Sequence, residues 1–185
     1  WAPIVIEPAT AALFALFAWE FQHQRSVIPA FCILAAALIA LTWIDLETQR
    51  LPREITYTAM ALGGVALAVA ALVLDEPERI WMAALGAAIA LAIMWLIYAL
   101  SKGGMGDGDV RLSPLLGMYL GWINPGIVAP GLFFGFVAGA VVSIVLMATS
   151  RAGRRTAVPF GPFLALGTVV AVFLGQPFVD AVLQR

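Results

Sequence analysis

Asp45 and Asp109 are the side chains whose placing could do chemistry in this 185-residue chain. Asp45 follows the apolar run Val27 to Ile44. Asp109 closes the glycine-rich stretch Gly103-Gly104-Met105-Gly106-Asp107-Gly108-Asp109, just before another apolar segment. A carboxylate beside a bilayer is costly and is a functional suspect by default. Two carboxyls at one membrane face can share a proton, because repulsion at close range splits their apparent pKa values. The ionised member then activates water while the protonated member polarises a scissile carbonyl, which is the minimum equipment of an aspartyl protease. That chemistry calls for neither a metal nor a covalent intermediate. The expected separation is shared-water distance, about 4 to 7 Å, when the site is assembled.

Each feature alone is weak. An acidic residue at a helix end is common, and a glycine run is often only a connector. The glycines at 103, 104, 106 and 108 would let the loop approach a helix or an extended peptide closely, and would permit positive φ. Pro52 disfavours helix at Leu51 and can start the next helix after a short loop. Two other chemistries use the same acids. A Mg²⁺-dependent membrane transferase acting on a lipid phosphate would bind metal through Asp45, Asp107 and Asp109. A proton-coupled transporter would instead need carboxylates near the bilayer midplane. The single histidine, His23, reads as a solvated loop residue, and the single cysteine, Cys32, as an inert buried thiol. Glu7 reads as a dipole partner near the start of the first helix.

The elements that must position these acids are membrane helices. The chain is 63% hydrophobic and 11% charged, with a mean hydropathy of +0.99, whereas soluble domains average about 25% charged residues. Apolar segments run approximately from Pro8 to Phe21, Val27 to Ile44, Ile55 to Leu74, Ile80 to Leu100, Val110 to Trp122, Ile127 to Thr149 and Val158 to Leu183. The fifth is short and contains Pro114 and Gly117, so a kinked or incomplete helix is expected. The fold class is an all-α polytopic bundle of about six or seven transmembrane helices, forming one domain over residues 1–185. The near balance of basic and acidic residues gives no footprint for nucleic acid. The bilayer is the implied surrounding, and oligomeric state leaves no signature.

If every segment crosses, one side receives Arg50, Arg53, Lys102, Arg111, Arg151, Arg154 and Arg155, and the other Arg25, Arg79 and Arg185. Cytoplasmic loops are enriched in Lys and Arg, so the first side is expected to be cytoplasmic, and it carries both Asp45 and Asp109. In a bacterial cell this corresponds to the inner membrane.

These residues resemble the type IV prepilin peptidases, membrane aspartyl proteases of the GxGD class. The resemblance covers nearly the whole chain and rests on three stretches: Asp45 with Glu47, Gln49, Leu51 and Pro52; Gly104 through Leu112; and Val158-Pro159-Phe160-Gly161-Pro162 through Gly167. GxGD fits both Gly104 to Asp107 and Gly106 to Asp109. Only the second register aligns Val110-Arg111-Leu112 with the family pattern, so the resemblance implies Asp45 and Asp109 as the catalytic pair, with Gly106, Gly108, Arg111 and Pro52 as supporting motif residues. It further implies cleavage after a Gly in prepilin or pseudopilin precursors, whose partner segment is a membrane helix with a short basic leader. Many family members carry a cytoplasmic domain with two Cys-x-x-Cys pairs and methylate the new N-terminus with S-adenosylmethionine. A single cysteine cannot supply those pairs, so the domain is expected to be cut away or never present. S-adenosylmethionine is implied only where the methyltransferase activity is present, and otherwise no cofactor is.

Overall fold

In a computed structural model, which describes residues 2–101, 104–149 and 159–183, the chain is a bundle of seven α-helices. They are α1 (Ala2–Glu20), α2 (Ile28–Thr48), α3 (Arg53–Val73), α4 (Glu78–Leu100), α5 (Asp107–Ile123), α6 (Val128–Ala148) and α7 (Gly161–Leu183). Single 3₁₀ turns at Arg25–Val27 and Pro125–Ile127 lead into α2 and α6. Four segments are long and apolar enough to cross a membrane: Arg25–Thr48, Arg53–Val73, Glu78–Leu100 and Pro125–Ala148. The all-α polytopic bundle expected from the hydropathy is therefore the one observed. The topology signals Lys102, Arg151, Arg154 and Arg155, with Gly103 and Val158, lie outside the described residues.

Two local expectations change. Glu7 lies beyond the first turn of α1, which holds no acid, so it is no N-terminal dipole partner. Helix α2 runs on to Thr48, placing Asp45 inside it. It ends where Gln49 turns left-handed at φ 53° and its N–H closes on the Asp45 carbonyl at 2.9 Å. Pro52 then stands immediately before α3, as its fixed φ suits. His23 is exposed as read, while Cys32 is only half-buried.

The short fifth segment is the centre of the bundle. Leu112, Ser113, Leu115, Leu116, Tyr119, Leu120 and Trp122 of α5 are all buried, while α3, α4 and α6 turn Val65, Val69, Trp81, Trp95, Phe133 and Val141 outward. Lipid tails are as apolar as these side chains, so helices here are joined by close packing and interhelical hydrogen bonds. Gly86 on α4 faces Gly117 and Gly121 on α5 so closely that a Cβ at any of the three would strike the opposite backbone. On α7, a Cβ at Gly167 would likewise strike the backbone of Gly131 and Gly135 on α6. Pro114 does not break α5: lacking an N–H, it leaves the Val110 carbonyl without its helical donor, and the Ser113 hydroxyl supplies one at 2.8 Å. The Tyr119 hydroxyl donates to the Ala30 carbonyl of α2 at 2.8 Å, and Gly63 on α3 leaves room for it.

Gly117→Ala places its Cβ about 2.5 Å from the Ala90 Cβ and against the Gly86 carbonyl. It is expected to lower the thermal midpoint in detergent by the equivalent of about 1–3 kcal/mol. Gly64→Ala, whose Cβ would meet only the Met118 sulfur at 3.5 Å, is expected to leave the midpoint unchanged or raised. An equal loss in both variants would mean that the α4–α5 approach is not what limits the fold.

Candidate functional site

Three sequence stretches far apart in the chain meet at one end of the bundle: the end of α2 with the α2–α3 connection, the start of α5, and the start of α7. The first helical residues of any α-helix have N–H groups without intrahelical partners. At α7 the Gly161 N–H finds one in Asp45, donating to Oδ2 at 2.9 Å across 116 residues of sequence. Asp45 thus caps a helix to which it does not belong. It is 5% exposed, and Gly161 is glycine of necessity, since a Cβ there would lie 2.8 Å from Asp45 Oδ2 and 3.1 Å from Leu51 Cδ2.

Leu51 is the common neighbour. Its Cβ lies 3.1 Å from where a Gly108 Cβ would be, so the same side chain packs between the Gly161 turn and the start of α5. Of the two uses these glycines permit, close approach and positive φ, Gly104, Gly106 and Gly108 show the first, since all three avoid the left-handed region. Gly106 is extended at φ −70°, ψ 140°, directly before α5. Asp109 is therefore in the first helical turn, not at the tip of a loop.

The two acids of that turn differ in environment. Asp107 is exposed and accepts a 2.7 Å hydrogen bond from Arg111 Nη2, one turn on. Asp109 is 8% exposed. It stands ahead of the apolar Val110 to Trp122 stretch, in a helix outside the four spans, and its carboxyl is pushed up to about 7, first by burial and then by repulsion from Asp45 and Asp107. A group so shifted is poised to hold a proton near neutral pH. Asp45 and Asp109 are thus two buried carboxyls, from different helices, within electrostatic reach of each other.

Of the expected residues, Asp109 lies within electrostatic reach of Asp45, Gly108 packs on Leu51, Pro52 stands before α3, Gly106 precedes α5, and Arg111 is exposed and paired with Asp107. Among the described residues no group of three His, Cys, Asp or Glu side chains is placed to hold a metal ion. In the sequence, Leu51 and Gly161 stand out only as parts of longer motifs. Their signal is Pro162 after Gly161, which announces a helix start, and Pro52 after Leu51, which disfavours helix at Leu51.

The type IV leader peptidase family model matches residues 32–147. The prepilin leader peptidase/N-methyltransferase of Legionella pneumophila is 31% identical, over 95% of this chain and 60% of its own length. The protein of that name from Burkholderia pseudomallei (strain 1026b) is 34% identical, over 94% and 55%. That of Bacillus subtilis (strain 168) is 29% identical, over 94% and 66%. The chain spans about 60% of the length of the Legionella protein. No solved structure matches it.

Gly161→Ala is expected to displace either the Asp45 carboxylate or Leu51, and to lose the cap at a cost of about 1–3 kcal/mol. Asp45→Asn keeps an oxygen for the Gly161 N–H and should unfold near the wild-type temperature. Thermal unfolding followed by circular dichroism checks both. An unchanged Gly161→Ala midpoint would show that α7 does not need this contact.

Proposed function

Because the chain belongs to the type IV leader peptidase family, we propose that it is an aspartic endopeptidase that removes the leader from prepilins or pseudopilins, with Asp45 and Asp109 as its catalytic pair. One observation carries the reading: Asp109 is buried in the first turn of α5 within electrostatic reach of the buried Asp45, and its burial first, then repulsion from Asp45, pushes its carboxyl up to about 7. The exposed, arginine-paired state of Asp107 supports the Gly106 to Asp109 register over the alternative.

In this mechanism Asp109 carries the shared proton and donates a hydrogen bond to the scissile carbonyl oxygen. Ionised Asp45 accepts a proton from the attacking water, with the two carboxyls about 4 to 7 Å apart around it. The water oxygen bonds to the carbonyl carbon, the C–N bond breaks, and the proton taken by Asp45 leaves on the new amine. Cleavage after a Gly, ahead of the precursor's apolar helix, puts the scissile bond at the membrane face where α2 ends. The excess of Lys and Arg in the segments on that side supports a cytoplasmic orientation. The methyl transfer in the relatives' names is not carried over to this chain. The Mg²⁺ reading loses ground, because Asp107 is engaged by Arg111 and the described residues gather no third ligand.

Asp45→Asn and Asp109→Asn are each expected to reduce cleavage of a precursor by about 10²–10⁴-fold or more while the protein stays inserted. Asp107→Asn should retain substantial activity. Sequencing the product N-terminus locates the cut. An inactive Asp107→Asn beside an active Asp109→Asn would overturn the register, and loss of cleavage in EDTA restored by Mg²⁺ would favour the metal reading.

The pH profile of kcat/KM should be bell-shaped, with its alkaline limb near 7, where the shared proton is lost. The Asp107 charge helps to hold that proton, so Asp107→Asn should move the alkaline limb to lower pH. A limb that stays in place in Asp107→Asn would mean that it reports another group.

A further inference from the structure

Beside the two acids, the α2–α3 connection opens into a cleft of about 540 Å³, with Arg50, Arg53, Arg111 and Glu54 around Ile44 and Leu51. Its charges do not cancel. Arg53 pairs with Glu54 at 3.3 Å and Arg111 with Asp107 at 2.7 Å, while Arg50 has no ion pair among the described residues. Both pairs are solvent-exposed, a setting in which an ion pair contributes at most about 1 kcal/mol and exchanges readily for a better anion. One positive charge is left unmatched, and guanidinium groups present forked donors suited to phosphate oxygens.

The cleft lies where α2 ends and α3 begins, at the height at which membrane helices meet headgroups. Arg53 shares a face of α3 with Tyr57, which is 47% exposed, as in the aromatic belts of that level. Leu51 and Ile44 give the cleft an apolar side, against which the first methylenes of a lipid's acyl chains can pack and a free anion cannot. We propose that this cleft binds the phosphodiester headgroup of an anionic phospholipid, with Arg50 as its principal donor. A basic leader peptide is repelled from the same place, so the lipid occupies ground next to the carboxyls that the leader does not. The site stands independently of the peptidase reading, because its occupancy is measured without cleavage.

The test uses the purified full chain in detergent, incubated with phosphatidylglycerol or phosphatidylcholine of identical acyl chains, with retained lipid read by native mass spectrometry. About tenfold more phosphatidylglycerol should remain bound, the scale of one charge-assisted hydrogen bond. Arg50→Gln should bring retention down to the phosphatidylcholine level, and Arg50→Lys should keep part of the preference. Arg25→Gln, at the opposite end of α2, should change nothing. Soluble glycerol phosphate should fail to displace the lipid. If Arg50→Gln does not fold by circular dichroism, Arg50→Lys is read in its place, with only part of the preference kept. The proposal is overturned by equal retention of the two lipids, by wild-type preference in the folded arginine variant, or by equal loss in Arg25→Gln. Displacement by glycerol phosphate or by an acidic peptide at similar concentrations also overturns it, the first assigning the cleft to free phosphate and the second to protein.

Discussion

A carboxylate withdrawn from water into an apolar bundle has to be met by fixed donors, and the donor that meets Asp45 is the Gly161 N–H at 2.9 Å. Hydrogen bonds to a charged group contribute about 1.5–3 kcal/mol, more than most single contacts in a protein. This one joins the last turn of α2 to the first of α7, two helices that the chain separates by four others. With that joint set, the α2–α3 connection has little freedom. Leu51 must pack against the bare backbone of Gly161, and its other side fixes where Gly108, and so the start of α5, can lie. The position of Asp109 depends on that chain of contacts.

Glycine performs the same task throughout the bundle, by bringing backbones together where no apolar driving force exists between helix and lipid. The Gly86, Gly117 and Gly121 meeting holds α5 against α4, and the Gly131, Gly135 and Gly167 meeting holds α6 against α7. Helix α5 is surrounded as a result. Its hydroxyl-bearing residues serve its own continuity or its neighbours, with Ser113 taking the carbonyl that Pro114 leaves open and Tyr119 reaching α2. A helix held this firmly along its length presents its first turn as a rigid mount, which suits a carboxyl whose proton affinity depends on burial.

The acids divide by environment. Asp107, two residues from Asp109, remains in water and is paired with Arg111, while Asp109 is enclosed and raised to about 7. The difference follows from helical geometry, since residues two apart point to different sides of a helix. That side choice separates the acid poised to hold a proton from one that perturbs it. Arg50, Arg53 and Arg111 remain exposed at this end of the bundle.

Composition and hydropathy by themselves determined an all-α membrane bundle, because runs of some 20 apolar residues with few charges have no other stable home. The order of motifs picked out the acidic pair, because an acid bordering an apolar run is too costly to pass unnoticed. Sequence could not tell that Asp45 lies inside α2, since the extra turn is closed by Gln49 in a left-handed conformation that no local residue preference announces. Nor could it tell why the glycines are there: positive φ and close approach leave the same letter in the chain, and only the neighbour opposite distinguishes them. The pairing of Asp45 with Gly161, the wedge of Leu51 and the contrast between Asp107 and Asp109 belong to the tertiary structure. Each depends on which surfaces face one another across more than fifty residues of chain, and one-dimensional patterns record spacing along the chain, not distance across it.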